Sequence, residues 1–248
     1  MRDVIVFKEG GYRYIKAGYQ FSSGVAAEPG IEIERARFAV PLPVAAGMKA
    51  AEAHLARLGR PSSAFAACEL RSPQPFSEQG FDDFNREYVK TLERWGIYRA
   101  GANPVARTNV CPQYGAPVAP MLYAFSYTVA SRGSRRSFII AGGAEVRGGV
   151  EGYAARTVRY GETSPEAMRD KVRHVVTLMS GRLEALGFSW PDATSVQAYT
   201  VHDIGALVGP EIAARTGREA LAWHLARPPV LGLEFEMDVR GAAREIVL

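Results

Sequence analysis

The feature that most narrows what this chain can fold into is that its order of elements is stated twice. In the first half an amphipathic run, Ala45 to Leu58, places Met48, Ala51, Leu55 and Leu58 on one helical face and stops at Gly59, the residue type favoured just past a helix end. In the second half the run Pro165 to Leu186 presents Met168, Val172, Val175, Val176, Met179 and Leu183 and stops at Gly187. A proline turn and a β-like run follow each Leu-Gly pair: Pro61 before Ala64 to Leu70, and Pro191 leading into the run that ends at Val201. A second helical segment comes next in both halves. One carries Phe81, Phe84, Tyr88, Leu92 and Trp95 along a side, with Asp82 and Asp83 expected in its first turn; the other spans Pro210 to Trp223. An Arg-centred segment then precedes each closing strand: Arg107 before Met121 to Val129, and Arg227 before Leu231 to Val239. Early strands are expected at Tyr12 to Ile15 and Tyr19 to Ala26, the latter paralleled by Ser137 to Ala144, with a connection around Pro29-Gly30. The economical account is an α+β chain of two β-β-α-β-α-β domains, residues 1–133 and 134–248.

Composition agrees with such a plan and removes several others. With 248 residues, 47% of them hydrophobic, the chain can bury one large core or two of roughly 120 residues. Two cysteines, Cys68 and Cys111, do not make a disulfide scaffold. Met1 to Lys8 has no apolar leader, and no apolar run approaches the ~20 residues of a membrane span, so a soluble, cytoplasmic protein with no membrane partner is expected. The net charge of +4 is spread along the chain. Its one dense cluster, Arg132, Arg135 and Arg136, reads as a basic loop between strands, so no nucleic-acid partner is expected, whereas small anions are compatible. His54, His174, His202 and His224 lack metal-ligand spacing, and no metal is expected. The glycine-rich stretch 141–149 lacks a phosphate-loop pattern and reads as a hairpin or bulge.

Three segments, Val105-Ala-Arg-Thr108, Leu225-Ala-Arg-Pro228 and Leu233-Glu-Phe-Glu-Met237, together with the Leu-Gly helix ends, resemble the YjgF/Rid (reactive intermediate deaminase) family, once per half. The resemblance implies two tandem chorismate-mutase-like, ferredoxin-type domains, each a sheet with helices on one face. It also implies a homo-oligomer, a trimer, with sites in the clefts between domains or subunits, and hydrolysis of imines or enamines without cofactor. In organisation the chain also resembles the chorismatases. It departs from the family pattern at several places. The family's cysteine two positions after the arginine is Asn109 in one half and Pro229 in the other, Met121 to Val129 lacks a glutamate, and the segment 111–120 is an insertion.

The chemistry of a 2-imino or enamino acid makes its own demands. Arginine grips a carboxylate bidentately and stays charged, which suits Arg107 and Arg227 as substrate anchors; each also reads as a loop or interface cation. The activated C=N carbon then needs a positioned water and a proton relay, a task for Glu234 or Glu236, which share a face of the expected last strand and read equally as solvated or interface residues. Asn109, Cys111 and Tyr114 form a polar group behind Arg107, and Tyr19 is placed to cover a ligand or to pack in the core. The aromatics of the first half suit an unsaturated substrate such as an aminomuconate-like acid, and suit core packing just as well. The expected function is therefore hydrolytic deamination of a small carboxylated imine or enamine. Its rivals are a chorismatase-like release of pyruvate and a non-catalytic metabolite-binding protein.

Overall fold

In the computed structural model, residues 3–133, 135–149, 151–217 and 221–248 are described. Strands β1 (Val4–Phe7), β2 (Tyr12–Ile15) and β3 (Gly24–Ala27) form an antiparallel meander. The stretch read from sequence as a connection is instead a 13-residue strand, β4 (Ile31–Pro43). Its buried charges, Glu32, Glu34 and Arg35, hide the strand pattern from a hydropathy reading. They are tolerated because each finds a partner: Arg35 on Glu69, Glu34 accepting from the Tyr127 hydroxyl at 2.9 Å, and Glu32 accepting from Arg132 N at 3.0 Å.

Helix α1 (Val44–Arg57) ends where expected, with Gly59 at φ 66°. After β5 (Phe65–Arg71), α2 (Glu78–Arg94) is capped by Ser77, whose Oγ accepts from Gly80 N; it starts ahead of the expected point, so Asp82 and Asp83 fall in its second turn. Strands β6 (Ala106–Pro112) and β7 (Met121–Ala130) complete the first half. The second half runs through β8 (Phe138–Ala144), the single turn α3 (Tyr153–Arg156) and α4 (Pro165–Ala185), capped by Ser164 and followed by Gly187 at φ 78°. Then come β9 (Ser195–Tyr199), an irregular helical stretch over 205–216, β10 (Leu221–His224), β11 (Ala226–Arg227), β12 (Glu236–Gly241) and β13 (Arg244–Val247). Two expectations shift here: Trp223 lies in a strand rather than a helix, and the last long strand begins only at Glu236.

The strands form a seven-stranded sheet, β1-β2-β3-β8-β12-β9-β10, and a six-stranded sheet, β11-β6-β5-β7-β4-β13. Each contains a quartet of one design. β6-β5-β7-β4 and β10-β9-β12-β8 share their order, with a parallel outer pair and antiparallel pairing elsewhere. The flanking strands are exchanged: β1 to β3 extend the quartet of the second half, while β11 and β13 edge that of the first. Met48, Ala51 and Leu55 of α1 and Tyr88 and Leu92 of α2 pack with Phe65 and Phe125 of the six-stranded sheet. Met168, Val172, Val175 and Met179 of α4 pack on Met237 and Val239 of β12 in the other. The alternate residues Glu236, Asp238 and Arg240 of β12 therefore turn away from α4, and Arg240 reaches across to Glu69 of β5. The sheets meet where Gly142 N of β8 donates to Thr108 Oγ1 of β6 at 3.1 Å. No helix of the described residues is long and apolar enough to cross a membrane.

Candidate active site

Beside that meeting of β6 and β8 lies a cavity of about 420 Å³, a size suited to a small-molecule ligand. Its walls come from both halves: Phe21, Phe81, Arg107 and Asn109 from the first, and Gly142, Gly143, Tyr153, Arg182 and Glu236 from the second. Arg107 is 2% exposed, and four rings surround its guanidinium: Phe21 at 4.8 Å, Tyr88 at 4.7 Å, and Phe81 and Phe84 both at 5.6 Å. Both its Nη1 and Nη2 are buried without a hydrogen-bond partner. Aromatic faces stabilise the cation in part, but a buried guanidinium with idle donors is costly and marks a place for an anion. Burial weakens its hold on its proton, yet an arginine remains charged at any relevant pH. Asn109 adds a third idle donor: its Oδ1 accepts from Ser72 Oγ at 2.9 Å, and its Nδ2 is unpartnered.

Glu236 is 4% exposed and lies on the cavity wall. Burial, first, and the neighbouring Asp238 and Glu145 push its carboxyl well above the usual range, against the pull of Arg182 and Arg107. The protonated form is thereby favoured. Its place depends on Gly142, where any Cβ would overlap Glu236 Oε1. It depends also on Glu145, whose carboxylate accepts from Glu234 N at 2.7 Å and Phe235 N at 3.0 Å and from the buried Lys171 Nζ at 3.2 Å. Those backbone donors are thus withheld from the sheet, which delays β12 until Glu236. Arg182 Nη1 donates to Ala141 O at 2.8 Å, bracing the glycine strand from α4. Among the described residues, no group of three or more His, Cys, Asp or Glu is arranged to hold a metal ion.

The family model for the 2-aminomuconate deaminase CnbZ matches residues 4–246. The chain belongs to that family. It is 59% identical over 251 residues to a 2-amino-5-chloromuconate deaminase of Comamonas testosteroni, the match spanning 100% of both proteins. Among solved structures it is similar to a chorismatase, with a TM-score of 0.51 at 15% identity over 88% of this chain and 77% of that one; this is a likeness of fold alone.

Of the residues singled out from the sequence, the cavity gathers Arg107, Asn109 and Glu236. The others lie elsewhere. Glu234 precedes the strand instead of sharing a face with Glu236, and its carboxylate meets His202 Nε2 at 2.7 Å and Arg227 Nη1 at 3.6 Å. Arg227 sits in the two-residue β11, paired with Cys111, so it is not the positional counterpart of Arg107 in β6. Cys111 is buried, and burial raises its thiol to about 12. Tyr114 is 77% exposed on the loop after β6. The Tyr19 hydroxyl donates to the Asp82 carboxylate, outside the cavity, although nearby Gly18 and Phe21 line it. Sequence reasoning passed over Gly142, Gly143, Tyr153, Arg156 and Arg182. The glycine-rich stretch 141–149 was the available signal, since two glycines inside a strand mark a close approach to its surface.

Proposed function

We propose that this chain hydrolyses a 2-aminomuconate-type enamine dicarboxylate to the corresponding 2-oxo acid and ammonia, at the cavity between its two halves. The observation that carries the reading is the idle, buried guanidinium of Arg107 on the same cavity wall as the carboxyl of Glu236. Arg107 grips the carboxylate next to the amino-bearing carbon, a charge-assisted fork replacing its missing partners. Asn109 Nδ2 adds a neutral donor. Glu236, held in its acid form, gives its proton to the enamine carbon chain, and the C=N bond forms as the nitrogen becomes iminium. The resulting carboxylate takes a proton from water as the oxygen adds to the iminium carbon. It then passes that proton to nitrogen. Ammonia leaves as the carbinol oxygen becomes a carbonyl and returns its proton to Glu236. One water is consumed, one ammonia is released, and the glutamic acid is restored.

The same reading gives the shared quartets a meaning. The chain is two Rid-like repeats in tandem, and the cleft between them takes Arg107 from one and Glu236 from the other. It also works as a cytoplasmic homotrimer, for which sedimentation should give three times the 27.0 kDa protomer mass. The activity test is ammonia release from enzymatically generated 2-aminomuconate, with chorismate in parallel. The expected result is ammonia from the first and no pyruvate from the second. Normal turnover in Arg107→Ala, or pyruvate without ammonia, overturns the reading.

A further inference from the structure

The cavity carries more positive charge than one carboxylate can satisfy. Four arginines line it, Arg107, Arg147, Arg156 and Arg182, against a single carboxyl, Glu236, which burial favours in the neutral form. Arg182 is engaged by strand carbonyls and Arg107 by the reading above. The remaining two stand at the mouth, on the segment between β8 and α4: Arg147 is exposed and Arg156 half-buried, whereas Arg107 is at the buried end. Neither mouth arginine forms a salt bridge among the described residues. Arg156 is nonetheless held in place, its Nε donating to Glu151 O at 2.6 Å and its Nη1 to Arg147 O at 3.1 Å, which leaves Nη2 for a ligand. Its guanidinium lies 5.1 Å from the ring of Tyr153, which lines the same cavity as Arg107 and Glu236. Tyr153 thus shares the cavity with the buried cation while its ring adjoins the one at the mouth.

We propose that Arg156, assisted by Arg147, forms a second carboxylate subsite, so that the cavity selects dicarboxylates by gripping both ends of an extended chain. The inference rests on the deaminase reading for its substrate, yet its test does not need turnover. A guanidinium braced by backbone carbonyls keeps its remaining N–H directed without spending conformational freedom on binding, which favours a fixed spacing between the two charges.

Trans,trans-muconate and sorbate share one six-carbon diene and differ by one carboxylate, and neither has an amino group to lose. Calorimetric titration of the intact protein should show muconate binding at least tenfold tighter than sorbate. Arg156→Ala should erase that advantage while leaving sorbate affinity unchanged, Arg156→Lys should keep part of it, and Arg147→Ala should reduce it less. Arg107→Ala should weaken both ligands. Equal affinities in the unaltered protein, or a loss in Arg156→Ala that is the same for both ligands or absent, overturn the subsite. Ammonia release separates the two readings. Muconate selectivity without turnover sinks the deaminase reading alone, and turnover without that selectivity sinks the subsite alone.

Discussion

Between the sheets, the Glu69 carboxylate lies 2.6 Å from both Arg35 Nε and Arg240 Nη1; in the cavity, Arg107 and Glu236 share a wall and form no salt bridge. Both regions bury the same two kinds of side chain, and their proton equilibria run in opposite directions. Burial works to raise the pKa of Glu69, but the guanidiniums of Arg240 and Arg35 outweigh it and hold the carboxyl far below the usual range. Burial works on Glu236 in the same sense, and there the more distant guanidiniums of Arg182 and Arg107 do not prevail. A paired cluster is finished and serves the fold. The unpaired one, on the function proposed above, keeps a cation and an acid ready for a substrate.

The sharpest way to break this contrast is to remove one arginine from each region. Arg107→Ala should lower kcat/KM by about a thousandfold, roughly 4 kcal/mol of lost charge-assisted bonding, with no loss of thermal stability. Arg240→Ala should do the reverse, costing about 3–5 kcal/mol of folding free energy in denaturant titration because Glu69 is left charged and under-compensated. If Arg107→Ala unfolds the protein while leaving kcat intact in the folded fraction, the two clusters are of one kind.

The glutamates sharpen the comparison through pH. Glu236→Gln should reduce turnover about a hundredfold, since the proton can no longer be given and retaken. Its effect on stability follows from linkage. With the folded pKa raised, the native state holds the proton longer than the unfolded chain, so the wild type loses stability as pH rises past the unfolded carboxyl value. The variant's Tm advantage should therefore widen from pH 5 to pH 8. Glu69→Gln should show the opposite course, destabilising at neutral pH, with the gap closing on acidification, because a depressed folded pKa contributes stability only above the unfolded value.

Smaller effects test the cavity's shape. Gly142→Ala should displace the Glu236 carboxyl and cost about tenfold in turnover, roughly 1.4 kcal/mol, with kcat affected more than KM. Tyr114→Ala, on an exposed loop, should change stability by less than about 0.5 kcal/mol and leave turnover unaltered, which distinguishes residues near Arg107 in sequence from those near it in space.

Much of the frame is legible in the residues. The Leu-Gly ends of α1 and α4 were visible because a left-handed residue after a helix calls for glycine, and the apolar faces of α1, α2 and α4 follow helical spacing. Strand β4 escaped because its buried Glu32, Glu34 and Arg35 look solvated until their partners on other elements are known. Arg107 and Glu236 were both within reach of a motif reading, and so was Asn109. The choice between Glu234 and Glu236 was not, because it depends on Glu145 capturing two backbone donors 89 and 90 residues away.

What the sequence by itself determined is local: the period of each apolar face and the punctuation of helix ends. Only the tertiary structure decided which half contributes what, since β1 to β3 cross to the second-half sheet and one cavity is lined by Arg107 of β6 and Glu236 of β12. The physical reason is that a proton affinity or an idle donor belongs to an environment. Whether a glutamate is an acid in reserve or half of an ion pair depends on where the nearest guanidiniums stand, and their distance is set by the packing of two sheets.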